Sequence, residues 1–224
     1  MARGPRRGLL AGVGALILAG VVVAVVLASG GDGGGGASTT PTATAASEPA
    51  GTVVRTVRAD RPNSLTIHDG VVWVTSSRTG TVTRIGARSG RRLVPLTGLE
   101  PGISSIASGI GSIWIANQKN RTLFRFDPGT REPIGGPIDV SPGQPFSLDV
   151  SSDAVWLGMR SGVGVPGGSA VREIRPGATK RRDHPVEGGV QSLAVDEETL
   201  WVTNRRRARV TRFEDPRVLL GDAR

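Results

Sequence analysis

The chain has 224 residues, a formal charge of +9 and no cysteine. That length fits one large β domain or two small ones, and the missing cysteines exclude a disulfide framework, a thiolate metal site and a cysteine nucleophile. All but two of the 28 basic residues are Arg, Tyr is absent, and Ala, Gly and Val are abundant, a composition that suggests a GC-rich bacterial genome.

Residues 1–8 are short and basic, with Arg3, Arg6 and Arg7. Leu9 to Ala28 is an unbroken apolar run of 20 residues without charge or proline. As a helix it would span about 30 Å, the thickness of a bilayer's hydrocarbon core. The basic flank would stay cytoplasmic and the remainder would be exported. The competing reading is a cleaved signal peptide ending at Val26-Leu27-Ala28, but signal cores are usually about 7–15 residues, which favours a retained single-pass anchor at the plasma membrane. Residues 29–50 are Gly, Ser, Thr, Pro and Ala, with little to bury, and read as a flexible extracytoplasmic tether. Thr39, Thr40 and Thr42 there would suit O-glycosylation.

Residues 51–224 form a repeat domain. One pattern occurs four times: Ser, alternating apolar positions, a polar or glycine turn, then apolar-Trp-apolar. It runs from Ser64 around Trp73, from Ser105 around Trp114, from Ser147 around Trp156 and from Ser192 around Trp201. The four tryptophans of the chain all occupy this position, at intervals of 41, 42 and 45 residues. A period of about 40–45 residues with short strands predicts propeller blades. Each unit predicts a first strand (Ser64 to Ile67, Ser105 to Ala107, Phe146 to Val150, Ser192 to Val195) and then the Trp strand. A third strand follows (Thr81 to Ile85, Thr122 to Phe126, Ala170 to Ile174, Arg209 to Phe213), and then a weaker fourth (Arg92 to Leu96, Pro133 to Ile138, and around Asp183 to Val186). The expected fold is all-β, a propeller of about four blades of four antiparallel strands. Thr52 to Val57 reads as an isolated fourth-type strand that could pair with Arg209 to Phe213 and close the ring. An open arc, or two chains combining their arcs, are the alternatives, and an open arc would expose strand edges.

The alternation places Trp73 on one face of its strand and Val72 and Val74 on the other, so the tryptophans are expected to be packing between blades. Only two histidines occur. His68 is expected in the turn before Trp73 and His184 in a surface loop beside Asp183 and Pro185, neither with a partner at metal-ligand spacing. Gly162 to Gly167 matches G-x-G-x-x-G, but it lies between two predicted strands, contains Pro166 and leads to no helix, so it reads as an expanded rim loop rather than a phosphate cradle. Two basic clusters, Lys180-Arg181-Arg182 and Arg205-Arg206-Arg207 with Arg209, fall between strands and are the candidate polyanion-binding residues. They would act together if the blades bring their loops to one face. No aromatic residue is interleaved to stack bases.

The units resemble the YncE-like and virginiamycin B lyase-like propeller repeats of bacteria, of the membrane-anchored actinobacterial type. The residues that carry this are Ser105-Ile106-Ala107, Ile113-Trp114-Ile115-Ala116-Asn117, and Leu123 to Thr130, whose Asp127-Pro128-Gly129-Thr130 is similar to the family's Asp-Pro-x-Thr-Gly turn. The resemblance implies a propeller fold and says little of function. The lyase's His/Glu arrangement has no counterpart around His68 or His184, and the repeat of pyrroloquinoline-quinone enzymes is missing.

The leading expectation is a non-enzymatic binding or sensing module without cofactor or metal. Its partner would be a protein, a glycan or an anionic cell-envelope polymer. A lyase-like or quinoprotein-like enzyme and a DNA-binding propeller are the alternatives, the last permitted by the charge and disfavoured by export.

Overall fold

The structure is a computed structural model that describes residues 53–161, 164, 168–177, 181–196, 199–204 and 206–214. The apolar run and the tether, residues 9–50, lie outside them, as do Lys180 and Arg205 and most of the Gly162 loop. Residues 52–224 form one compact unit. The described residues contain no α-helix and no helix long and apolar enough to cross a membrane.

Four antiparallel sheets follow one another along the chain. The first holds β1 (Pro62–His68), β2 (Val71–Ser76), β3 (Val82–Gly86) and β4 (Arg92–Leu96). The second holds β5 (Ile103–Gly109), β6 (Ser112–Asn117), β7 (Thr122–Phe126) and β8 (Ile138–Asp139). The third holds β9 (Gln144–Val150), β10 (Val155–Arg160), β11 (Ala170–Ile174) and β12 (Arg182–Pro185). The fourth has three strands among the described residues: β13 (Ser192–Val195), β14 (Thr199–Asn204) and β15 (Arg209–Glu214).

Each sheet is a meander because its strands are joined by turns too short to cross over. The β1–β2 turn is Asp69-Gly70 and the β5–β6 turn Ile110-Gly111, all four with positive φ (44°, 70°, 50° and 61°). Two-residue turns of that handedness match the twist of the strands they join. In the Asp127 turn, the carboxylate Oδ1 accepts from the backbone N–H of Gly129 (2.9 Å) and of Thr130 (2.7 Å). Those bonds hold the Asp127 carboxyl below the usual carboxylate range.

The first strands lie side by side, β1 against β5, β5 against β9 and β9 against β13. The core is three apolar layers, one at each junction between sheets. Trp73, Val82 and Leu96 of the first sheet meet Ile103, Ile106, Ile113, Ile115 and Phe126 of the second. Trp114 and Leu123 meet Leu148, Val155, Leu157 and Met159. Trp156 and Val171 meet Leu193, Leu200 and Val202. The tryptophan of each of the first three sheets is thus buried by the sheet that follows, and Ile113 and Ile115 beside Trp114 face the sheet before, as strand alternation requires.

Three expectations are corrected. Residues 53–57 form no strand, and β15 pairs with β14 alone among the described residues, so the first and last strands do not close a shared sheet. The segment instead lies on the first sheet, where the Arg55 guanidinium donates to the carbonyl of Ser89 (2.5 Å) and Arg92 donates to that of Arg58. Pro133 to Ile138 narrows to the two-residue β8 and a bridge between Phe126 and Pro133, because Gly135 with its positive φ and the flanking prolines interrupt the ladder. His184 sits within β12 rather than in a surface loop, and His68 is the last residue of β1.

Candidate functional site

The repeat serine occupies the same register in every sheet: Ser64 opposite Thr75, Ser105 opposite Ala116, Ser147 opposite Gly158 and Ser192 opposite Thr203. Because the first strands lie side by side, these positions form a polar line through the assembly. Neighbouring strands are tied along it. The Ser64 hydroxyl accepts from the N–H of Ile106 (3.4 Å), the Asn63 amide donates to the carbonyls of Ile103 (3.0 Å) and Ser104 (2.9 Å), and the Ser104 hydroxyl donates to that of Pro145 (2.8 Å).

At the end of the sheets where β2, β6, β10 and β14 terminate, this line opens into two adjoining cavities. One, of about 580 Å³, is lined by Ser64, Ser104, Ser105, Ser147 and Ser192 with Gln118 and Gln191. The other, of about 630 Å³, shares Gln118 and Gln191 and adds Gln144, Arg160, Ser161, Ser169 and Arg206. Together they make one polar groove. Gln118 donates to the side-chain oxygen of Gln144 (3.1 Å). Arg160 donates through Nε to the carbonyl of Val190 (2.8 Å), bonds the Gln191 side chain, and lies over the Phe146 ring. The Oγ atoms of Ser105 and Ser147, on residues 6% and 9% exposed, have no hydrogen-bond partner within the protein. A hydroxyl buried without a partner carries a desolvation cost that a ligand or water relieves.

The loop that carries Arg206 is shaped locally. Asn204, 4% exposed at the end of β14, accepts through Oδ1 from the N–H of Arg207 (3.1 Å), as Asn117 accepts from Lys119 (3.0 Å) and Asn120 (3.1 Å) in the second sheet. Such Asx turns fold the chain back over the strand end. Arg206 is thereby set on the groove, and Arg207 lies 3.9 Å from Glu187.

The described members of the two basic clusters do not meet. Arg206 and Arg207 follow the end of β14. Arg181 and Arg182 enter β12 opposite Glu173, near the end of β11, at the other end of the third sheet. The bond from Val195 N–H to Asp149 Oδ2 (2.9 Å) aligns the third and fourth sheets, which fixes the two ends as opposite. The connection that ends a second strand and the one that ends a third emerge at opposite ends of a meander, so the described members of the two clusters do not meet the condition for acting together, a common face. Arg181 donates instead to the carbonyl of Asp139 (2.9 Å). The backbone and hydroxyl of Ser141, and then the positive charges of Arg181 and Arg172, hold the Asp139 carboxyl below its ordinary range. Arg209 is exposed at the start of β15. Trp73, Trp114 and Trp156 are each 1% exposed, whereas Trp201 is 45% exposed with the Arg212 guanidinium 5.7 Å from its ring centre.

Sequence reading missed two arrangements. The groove's amides and Arg160 come from separate strand ends, and their only signal was the serine that opens every repeat. The other arrangement is a buried cluster. Arg172, 1% exposed, pairs with Asp183 in two parallel bonds of 2.6 Å and also donates to the carbonyls of Val140 and Ser141. Beside it, His184 Nε2 lies 3.9 Å from Glu173 Oε2, with the Trp156 ring 6.0 Å away. Burial pushes the His184 pKa down, against the opposing pull of Glu173 and Asp183. This His/Glu pair is packed between strands and lines neither cavity of the groove. Among the described residues no cluster of three or more His, Cys, Asp or Glu side chains could hold a metal ion.

No protein-family model matches the chain, and no curated protein sequence does. Solved structures share the fold. The computationally designed Ika4 protein superposes with a TM-score of 0.57 at 12% identity, over 71% of this chain and 94% of that one. Hydrazine synthase of Kuenenia stuttgartiensis gives 0.58 at 15% identity, over 73% of this chain and 49% of that one. The computationally designed Ika8 protein gives 0.54 at 14%, over 68% and 45%. The chain therefore spans nearly all of the first and about half the length of the other two. Identities this low establish a shared fold and nothing of activity.

Proposed function

We propose that the chain is an extracytoplasmic binding module: a four-bladed propeller arc of the YncE-like kind, held at the plasma membrane by residues 9–28 and displayed on the 29–50 tether. Its ligand is an anionic, hydroxyl-rich polymer of the cell envelope, taken in the groove. The observation that carries this reading is the groove's chemistry. Serine hydroxyls, two of them buried and unpartnered, sit with three glutamine amides beside Arg206. Hydroxyls and amides both donate and accept, which suits sugar hydroxyls, and an arginine fork suits carboxylate or phosphate. The separation of the two basic clusters supports a discrete polymer site over a broad polyanion face for duplex DNA.

The test uses the full chain in detergent micelles and a polyuronate oligosaccharide, with an uncharged dextran oligosaccharide as comparison. The polyuronate is expected to bind with an affinity that falls as salt rises and drops at least several-fold in Arg206→Glu and in Gln118→Leu. Equal binding of both sugars, or binding indifferent to both substitutions, would overturn the site.

A further inference from the structure

The packing rule of this fold is broken at its two ends, and the two breaks are complementary. Each of the first three tryptophans is covered by the following sheet. In the fourth sheet, Trp201 remains 45% exposed, and on the same face Val210 is 63% exposed and Ser192, Ala194 and Thr203 are also exposed. At the other end, no sheet precedes the first among the described residues. Its residue Leu65 corresponds to Ile106, each being the residue after the repeat serine. Ile106 lies under Trp73 at 3% exposure, but Leu65 is 61% exposed and its neighbour Ile67 60%. One end of the molecule thus carries an uncovered tryptophan face, and the other carries the apolar face that covers tryptophans at every internal junction.

A second observation points the same way. In the repeat, the fourth strand of one sheet lies against the third-strand turn of the next: Pro95 and Leu96 share a cavity wall with Thr130 to Pro133. Val54 and Arg55 stand at the same distance before Ser64 as Pro95 and Leu96 do before Ser105. Arg55 reaches the equivalent turn, at Ser89 and Gly90. The segment around Val54 and Arg55 therefore already occupies the place of a fourth strand belonging to a preceding sheet, and the described residues include no such sheet. The fourth sheet, meanwhile, has only three strands among the described residues.

We infer that two copies of this chain join end to end, the Trp201 face of each covered by the Leu65–Ile67 face of the other, to form one closed ring of eight sheets. The inference rests on the propeller reading above but not on the groove's ligand. The same junction is used twice, so it is heterologous, and it closes at two copies when each chain supplies half of the ring. Solved chains in which this four-sheet array covers 49% and 45% of the length show that the fold occurs within chains of about twice its size. The second copy also brings its own residues 53–58 beside β15, where the described residues supply no fourth strand.

The absence of native cysteine makes the test direct. Within the chain, Thr66 Oγ1 and Ser108 Oγ meet at 3.1 Å across the first junction, so side chains at these two positions reach each other. The equivalent positions at the junction between copies are Ala194 and Ile67. The full chain in detergent micelles carrying both Ala194→Cys and Ile67→Cys, mildly oxidised with diamide, is expected to run as a covalent dimer on a denaturing gel with all thiols consumed. Each single variant is expected to stay monomeric, and a mixture of the two singles to give a dimer. Adding Trp201→Glu to the double variant is expected to abolish the cross-link while the β-type circular dichroism persists. A double variant that loses its thiols as a monomer would mean one-chain closure and would overturn the inference. So would single variants that dimerise alone, a ladder of trimers and longer species, or free thiols throughout. None of these readouts depends on polyuronate binding.

Discussion

Asp183→Asn tests the buried ion pair that ties the third sheet to the end of the second. The guanidinium of Arg172 is 1% exposed, donates two 2.6 Å bonds to the Asp183 carboxylate, and donates also to the carbonyls of Val140 and Ser141. Replacing the carboxylate by an amide keeps the shape and one acceptor but takes from the buried cation the carboxylate bonded to it, leaving only the field of Asp139. Removing one partner of such a pair costs about 3–5 kcal/mol. Asp183 is 22% exposed, so water softens the loss and the lower end of that range applies. For a unit of this size about 3 kcal/mol lowers Tm by roughly 6–12 °C. The assay is thermal unfolding followed by circular dichroism at pH 7. The double variant Arg172→Met with Asp183→Leu, which removes both charges, is expected to recover most of the loss. A Tm within 2 °C of wild type for Asp183→Asn, or a double variant as unstable as the single, would refute the argument that an unpaired buried cation sets the cost.

Other consequences follow from the same packing. Trp156→Ala removes a side chain 1% exposed between the third and fourth sheets and is expected to cost about 3–5 kcal/mol in urea unfolding. Gly158→Ala would place a Cβ 2.2 Å from Ser147 Oγ and 2.6 Å from Val190 Cγ1, so a Tm loss of several degrees or more is expected despite the small change. His184 has a lowered pKa in the fold, so the unfolded chain binds its proton more readily. Stability should therefore fall as pH drops below about 6.5, and His184→Gln should flatten the Tm profile between pH 7 and 5. Asp127 and Asp139 are held below the carboxylate range, so the stability they add is lost in a separate window, as pH falls below about 4.

Much of the architecture was legible because it is written in period and alternation. Thr122 to Phe126, Ala170 to Ile174 and Arg92 to Leu96 appear as strands with the boundaries that their apolar patterns predict. Trp73, Trp114 and Trp156 sit in sheet-to-sheet packing, as bulky residues at one register of a repeat should. What failed depends on neighbours that no local pattern encodes. Thr52 to Val57 alternates like a strand, but a strand needs a partner edge, and residues 53–57 have none among the described residues. His184 lies between Asp183 and Pro185, which reads as a loop; the Arg172 guanidinium, eleven residues away in sequence, draws Asp183 inward and His184 follows it into β12. The basic clusters were separable only once each was known to follow a second or a third strand of its own sheet. The groove was least visible, because Gln118, Gln144, Arg160 and Gln191 are unremarkable singly and become a site only when four strand ends converge.

Fluorescence quenching offers the most direct measurement of the central claim, that the array has one uncovered tryptophan face which a second copy covers. The chain has four tryptophans and no tyrosine, so its emission reports tryptophan alone. Acrylamide titrations of the full chain in micelles should show, at low protein concentration, a quenchable minority component that disappears in Trp201→Phe. That component should shrink as protein concentration rises, together with a doubling of the protein mass by analytical ultracentrifugation. Quenching spread over several tryptophans would contradict the packing of the sheets. A Trp201 component that stays equally accessible at every concentration would contradict its burial by a second chain.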